Sequence, residues 1–414
     1  MVYDVVAAGI DPRANPCVFV HGFQGAFLAR RDNGRRAWLT TGQAATAWNI
    51  QQRGYDRDRN PSPLALPLLG DATAPADPGP LVANGLNDEW KFCGITFAKV
   101  YGAVARALGS DPSRAGRPFR LFVYDWRQDL TETNAKLEAF LRQVSREAGG
   151  KPVQVVAHSM GGMLTYPILK KDPALFESVL FAGTPFTPSI SFLPDMHEGA
   201  IFGLTRDVFF TLRSPWAFFP GPEHGRPSLD GMSVDFYKPA TWTENRFGIF
   251  ADGHAPTERE RAHLAAATAA ARAYRTLLDA PPAPDVAAAG AWPPVCVIVG
   301  GAGTVLETAV SSTRQVGGKS VIDWDVSGRG PGHRVAGDGR VRRASGVPPA
   351  DHGVPHRVVE CPLGHMALVC NNAAQVVGLA NELSYEASGD MRGSGLSETA
   401  CEHVRPVETA CSDL

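Results

Sequence analysis

Val153-Gln154-Val155-Val156-Ala157-His158-Ser159-Met160-Gly161-Gly162 decides the fold of this chain. An apolar, β-branched run leads into a tight turn, and a helical pattern, Met160–Lys171, begins at once. Buried strands read as continuous apolar runs of this kind. A serine at the tip of a strand–turn–helix, flanked by small residues, has the form of a nucleophile elbow. The usual pattern is G-x-S-x-G, and Ala157 takes the first place here with another small residue. The blander role for Ser159 is a helix N-cap, which serine fills well. The preceding strand and the following helix favour the nucleophile. The helix N-terminus and the Met160 N–H then face the place where an oxyanion would form.

Other short apolar runs flank this one: Cys17–Val20, Phe119–Tyr124, Ser178–Ala182, Val295–Val299 and His356–Val359. Helical patterns such as Thr131–Ala148 lie between them. Strand–helix alternation predicts a doubly wound, mostly parallel sheet flanked by helices. With the serine elbow this is an α/β-hydrolase fold. Two stretches break the rhythm. Residues 30–118 are loop-rich, with a helix expected near Phe97–Leu108. Residues 184–290 form a long insertion rich in Phe and Trp, read as a cap. Its last helix opens on Thr257-Glu258-Arg259-Glu260, a capping box. The expected division is a hydrolase core in two parts, 1–183 and 291–384, the inserted cap, and a disordered polar tail from 385 to 414.

The 414 residues, 44% hydrophobic and 20% charged, suit a globular chain with a sizeable core. A net charge of −2, without a long basic run, gives no reason to expect nucleic acid as a partner. No run approaches the length of a membrane span, and Met1–Ile10 lacks the pattern of a signal peptide. A cytoplasmic protein is therefore expected. The seven cysteines contain no CxxC pair, and Cys17 and Cys296 read as small buried hydrophobes. No cofactor or metal is called for. Gly300-Gly301-Ala302-Gly303 lacks the full dinucleotide pattern, and Gly353 and Pro355 keep His352 and His356 off a helix.

The remaining parts of a serine site follow from order along the chain. Val18-Phe19-Val20-His21-Gly22-Phe23 is a strand entering a His-Gly turn, where this fold takes its second oxyanion donor. Phe23 N–H is the candidate, with Met160 N–H as its partner. A base must follow the serine, and the later histidines are His197, His224, His254, His263, His333, His352, His356 and His365. His365 stands in the loop after the last expected strand, where the fold presents its base. The acid stays open on local chemistry. Glu307 is the first carboxylate after Val295–Val299, followed by Asp323, Asp325 and Asp338, and the last sits in a Gly-Asp-Gly turn.

The assembled motifs resemble the lecithin:cholesterol acyltransferase-like family of α/β hydrolases. Those that carry the likeness are Tyr124-Asp125-Trp126-Arg127, Ala157-His158-Ser159-Met160-Gly161-Gly162, Gly183-Thr184-Pro185-Phe186, Arg213-Ser214-Pro215-Trp216 with Phe218-Phe219-Pro220, Gly337-Asp338-Gly339 and Gly364-His365. Arg340 stands where threonine is common in the family. The resemblance implies Asp338 as the acid beside Ser159 and His365. It also makes the cap segment with Trp216, Phe218 and Phe219 the expected binding surface for an apolar acyl group. Asp125 and Arg127 read as a structural ion pair. The expected activity is cleavage of a lipid-like carboxylic ester through an acyl-enzyme. Transfer of the acyl group to an alcohol is the alternative, and a non-catalytic binding protein of the same fold is the third reading.

Overall fold

The computed structural model describes residues 4–5, 14–38, 62–70, 76–92, 95–200, 203–225, 233–251, 253–308, 310–316, 319–323 and 333–389. Seven strands form the central sheet: β1 (Asp4–Val5), β2 (Cys17–Val20), β3 (Phe119–Phe122), β4 (Val153–His158), β5 (Phe176–Ala182), β6 (Val295–Gly300) and β7 (Arg357–Cys361). Their spatial order is β1-β3-β2-β4-β5-β6-β7. β1 runs antiparallel to β3, and the other six strands are parallel. Every residue of β4, β5 and β6 is buried, so both faces of the sheet centre are covered. The topology is that of the expected α/β-hydrolase fold.

The helices that flank the sheet are α1 (Gly102–Ser110), α2 (Leu130–Glu147), α3 (Met160–Lys171), α4 (Glu258–Asp279) and α5 (Ala373–Ser388). α2, α3 and α4 pack on one another, while α1 and α5 form a second group. α2 starts where the Asp129 side chain accepts the N–H groups of Thr131 and Glu132. α4 starts on the expected capping box, with Thr257 and Glu260 bonded reciprocally.

The helix expected at Phe97–Leu108 is displaced. Ile95–Lys99 is a strand paired with Glu89–Phe92, and the helix begins only at Gly102. Ile95-Thr96-Phe97 is a β-branched and aromatic run that alternates apolar and polar, which belongs to a strand.

The inserted segment after β5 carries short helices, among them Leu193–Glu198 and Arg206–Thr211, then α4, which is not its last helix as expected: the short helix Pro284–Ala289 follows. Its aromatic residues join the main core cluster instead of forming a separate one. A second excursion follows β6. Gly303–Thr308 pairs with His333–Gly337, so the chain leaves the sheet and returns to nearly the same place. Cys17, Cys296, Cys361 and Cys370 are buried, while Cys93, Cys401 and Cys411 lie outside the described residues. The tail expected from 385 starts later, since α5 runs on to Ser388, and residues 390–414 lie outside the described residues. Among the described residues no helix is long and apolar enough to cross a membrane.

Candidate active site

Parallel strands deliver their loops to one edge, and ligands of such sheets bind there. β2, β4, β5, β6 and β7 end beside one another at that edge. Ser159 follows β4 directly with φ 53 and ψ −125, a conformation that non-glycine residues rarely adopt. Its N–H donates to Ala182 O at 2.9 Å, and its own carbonyl accepts from Gly162 N at 2.9 Å. The two following glycines are forced by packing. A side-chain carbon at position 161 would stand 2.4 Å from Val20 O, and one at 162 only 1.9 Å from Thr184 Oγ1.

His365 lies in the loop after β7, 2.9 Å from Ser159 Oγ through Nε2. Its Nδ1 is 2.7 Å from Asp338 Oδ2. The His365 backbone N–H also donates to Asp338 O at 2.8 Å, so main chain and ring are registered on the same residue. Asp338 Oδ1 accepts from Arg340 N at 2.9 Å and Val341 N at 2.7 Å. Burial pushes the Asp338 carboxyl up. The His365 ring and the two backbone donors outweigh that and leave it below its ordinary value. An ionised Asp338 fixes the His365 proton on Nδ1, which leaves Nε2 free to accept from the serine hydroxyl. Ser159, His365 and Asp338 thus stand in one hydrogen-bonded line.

Asp338 reaches this place through the excursion after β6. A side-chain carbon at Gly300, the last residue of β6, would lie 2.5 Å from Asp338 Cβ. Glu307, the nearest acid in sequence, instead pairs with Arg342 at 2.9 Å. Asp325 lies outside the described residues, as does the side chain of Asp323. The other histidines are engaged elsewhere. His263 bridges Leu69 N and Phe210 O, His224 bonds Asp279, His254 bonds Glu260, and His352 bonds Tyr166 and Asp279 O. His197 accepts from Gly248 N, His356 bonds Val354 O in its own loop, and the His333 side chain is outside the described residues. His21 is fully buried, stacked 4.1 Å on Tyr124, and accepts the Tyr124 N–H.

The loop after β2 presses against the elbow. Gly22 abuts Ser159, and Phe23 lines a cavity that also contains Ser159 and His365. Met160, the next residue after the serine, opens α3. The cavity is walled mainly by apolar side chains. Phe23 meets Phe192 at 5.4 Å and Phe218 at 6.2 Å between ring centres, and Phe209 and Met163 add to the wall. Asp195 and Arg340 form an ion pair on the same wall, linking the inserted segment to the loop that carries Asp338.

Of the three aromatic residues expected to bind substrate, Phe218 lines this cavity. The expectation for Trp216 and Phe219 is corrected. Trp216 is 2% exposed, donates its indole N–H to Leu212 O and packs on Trp242. Phe219 is wholly buried against Phe236 and Trp242. Both hold the insertion together. Asp125 and Arg127 form the expected ion pair, at 2.7 Å, and Arg127 also donates to Leu64 O and Leu81 O. Tyr101, His158, Phe192 and Phe209 at the site were not singled out from the sequence. Phe192 and Phe209 carried a signal as aromatics in the insertion, and His158 stood in the elbow motif without an assigned role.

Residues 94–221 match the family model described as lecithin:cholesterol acyltransferase, which bears out the resemblance over that segment. The segment holds Ser159, Met160 and Phe218, while Phe23, Asp338 and His365 lie outside it. An uncharacterized protein of Saccharomyces cerevisiae is 28% identical over 123 residues, 28% of this chain and 18% of its own length. The match therefore spans under a fifth of that curated relative. Among solved structures, the chain is similar to one in the Tle4–Tli4 complex, with a TM-score of 0.52 at 13% identity, covering 91% of this chain and 100% of that one. This likeness concerns the fold alone. Est1E from Butyrivibrio proteoclasticus has a TM-score of 0.37 at 10% identity, over 94% of this chain and 99% of its own.

Proposed function

We propose that this chain, with a lecithin:cholesterol acyltransferase-type segment on an α/β-hydrolase fold, is a serine enzyme that cleaves a carboxylic ester with an apolar acyl group. At the general level, the family match and the fold support an acyl-ester hydrolase or acyltransferase. The observation that carries the finer reading is the unbroken line Ser159 Oγ, His365 Nε2, His365 Nδ1 and Asp338 Oδ2, at 2.9 and 2.7 Å.

In this reading His365 takes the Ser159 proton as the hydroxyl attacks the acyl carbonyl. Asp338 holds the ring in its tautomer and stabilises the imidazolium. The N–H groups of Phe23 and Met160 take the oxyanion. His365 then protonates the departing alcohol, and an acyl group remains on Ser159. Water completes hydrolysis, and a second alcohol completes acyl transfer. The apolar wall of Phe23, Phe192, Phe209 and Phe218 receives the acyl chain. Residues 184–290 serve as the cap, carrying three of those four rings. The description of the matching family favours the acyl-transfer variant as a second reading.

A p-nitrophenyl ester series of increasing acyl length tests the reading, run with and without added alcohols. Release of p-nitrophenol with a length optimum supports it. Formation of a new ester that rises with alcohol concentration selects transfer. Absence of turnover on every ester, together with no acyl-enzyme by mass spectrometry, contradicts it.

A further inference from the structure

Behind Ser159 a chain of hydrogen bonds joins the three loops of the site. Gly22 N–H donates to Tyr101 Oη at 3.0 Å. Tyr101 Oη lies 2.7 Å from His158 Nδ1, and His158 Nε2 lies 3.1 Å from His365 O. Gly22 belongs to the loop after β2, His158 to the elbow and His365 to the loop after β7. Tyr101 and His158 are each 1% exposed, so polar groups here need partners within the protein.

Only one pattern of protons satisfies the whole chain. The His365 carbonyl can only accept, so His158 carries its proton on Nε2. His158 Nδ1 is then an acceptor and takes the Tyr101 hydroxyl proton. The phenol oxygen keeps a lone pair for Gly22 N–H. Charge does not disturb this order: burial, and then His365, hold His158 down to about 3, and burial raises the Tyr101 hydroxyl above its ordinary value. Tyr101 is also fixed from behind. Its N–H donates to Asn87 O, and Asn87 N–H donates to Gly25 O in the same loop that carries Gly22.

We infer that Tyr101 and His158 are positioning residues that hold the base loop and the oxyanion loop in register around Ser159. The inference rests on the serine-enzyme reading and extends it to two residues that touch neither the reacting hydroxyl nor the acid. Tyr101→Phe leaves Gly22 N–H and His158 Nδ1 without partners while keeping the ring. His158 is then free to change tautomer, and the His365 main chain loses its donor.

The test uses the whole chain and the p-nitrophenyl ester that the wild type turns over fastest. Tyr101→Phe is expected to lower kcat about 10- to 100-fold, the range for leaving buried polar groups unpaired, with KM within about twofold. Binding of an alkyl boronate, which mimics the tetrahedral state, is expected to weaken by a similar factor. His158→Gln retains an N–H donor and is expected to be more active than His158→Ala. Melting curves show the temperature at which each variant is fully folded, and the kinetics are read there. A Tyr101→Phe enzyme with wild-type kcat overturns the inference. So does a loss that falls on KM, or a His158→Gln no better than His158→Ala. A wild type that neither hydrolyses esters nor reacts with a fluorophosphonate overturns the serine-enzyme reading and the relay with it. An active wild type beside an equally active Tyr101→Phe overturns the relay alone.

Discussion

Gly22 and Ser159 meet so closely that a side-chain carbon on the first would stand 2.8 Å from Cβ of the second. It would also lie 3.0 Å from Tyr101 Oη and 3.2 Å from His158 O. None of these neighbours is the free end of a flexible chain. Gly22→Ala is therefore expected to push the loop after β2 away from the elbow. A displacement of this size near a reacting group costs on the order of 100-fold in kcat/KM. Overpacking adds about 1–3 kcal/mol of destabilisation. Steady-state kinetics and urea unfolding of the variant read the two effects separately. Wild-type kinetics in Gly22→Ala would remove this loop from the site.

Asp338 and Glu307 make opposite predictions. Asp338→Asn removes the acceptor that fixes the His365 tautomer, and kcat is expected to fall about 1,000- to 10,000-fold. Glu307→Gln touches Arg342, which keeps bonds to Ser345 Oγ and Pro188 O, so kcat should hold within about threefold. Comparing the two variants on one ester decides which carboxylate serves His365.

That pair also shows what the sequence made readable. The elbow was legible because its constraints are local: a strand, a strained turn and two glycines with no room for side chains. The parallel strands and the place of His365 after the last of them followed from the same local patterns, while the edge strand Asp4–Val5 carried no such signal. Which carboxylate bonds His365 was not legible from local chemistry. The chain leaves the sheet at Gly303 and returns at Gly337, so adjacency in space skips the nearest carboxylate in sequence. Tyr101 and His158 were missed for a related reason. Their contact joins the start of α1 to the end of β4, and no local spacing announces it. The Arg213-Ser214-Pro215-Trp216 segment misled in the other direction. Arg213 N–H and the Ser214 hydroxyl bond the carbonyls of Arg127 and Trp126, so the motif fastens the insertion to the core.

Trp216 and Phe218 should therefore respond differently to truncation. Trp216→Ala removes a buried ring and is expected to cost about 3–5 kcal/mol while leaving the acyl-length optimum in place. Phe218→Ala opens the cavity wall and is expected to shift that optimum toward longer chains at a smaller cost in stability. Unfolding midpoints and the ester series check both. An unchanged length profile in Phe218→Ala would exclude that ring from the acyl site.

Three buried histidines set an acid limit on stability. Burial lowers His21 and His263 to about 4 and His158 to about 3, from an ordinary 6.5. Each has a folded value below its unfolded one. Its stabilisation is complete above about 6.5 and is lost as pH falls through the folded value. Between pH 6 and pH 4 each contributes a slope of up to about 1.4 kcal/mol per pH unit. Urea midpoints should fall across this range, and His263→Gln should flatten the slope relative to the wild type. An identical slope would contradict the neutral, buried state of His263.

Reaction of the whole chain with a fluorophosphonate probe, followed by peptide mass mapping, tests the role of Ser159 most directly. The expected result is one modified peptide containing Ser159, absent in Ser159→Ala and strongly slowed in His365→Ala. A wild type that takes no label, or a Ser159→Ala variant labelled as fast as the wild type, would contradict Ser159 as the nucleophile.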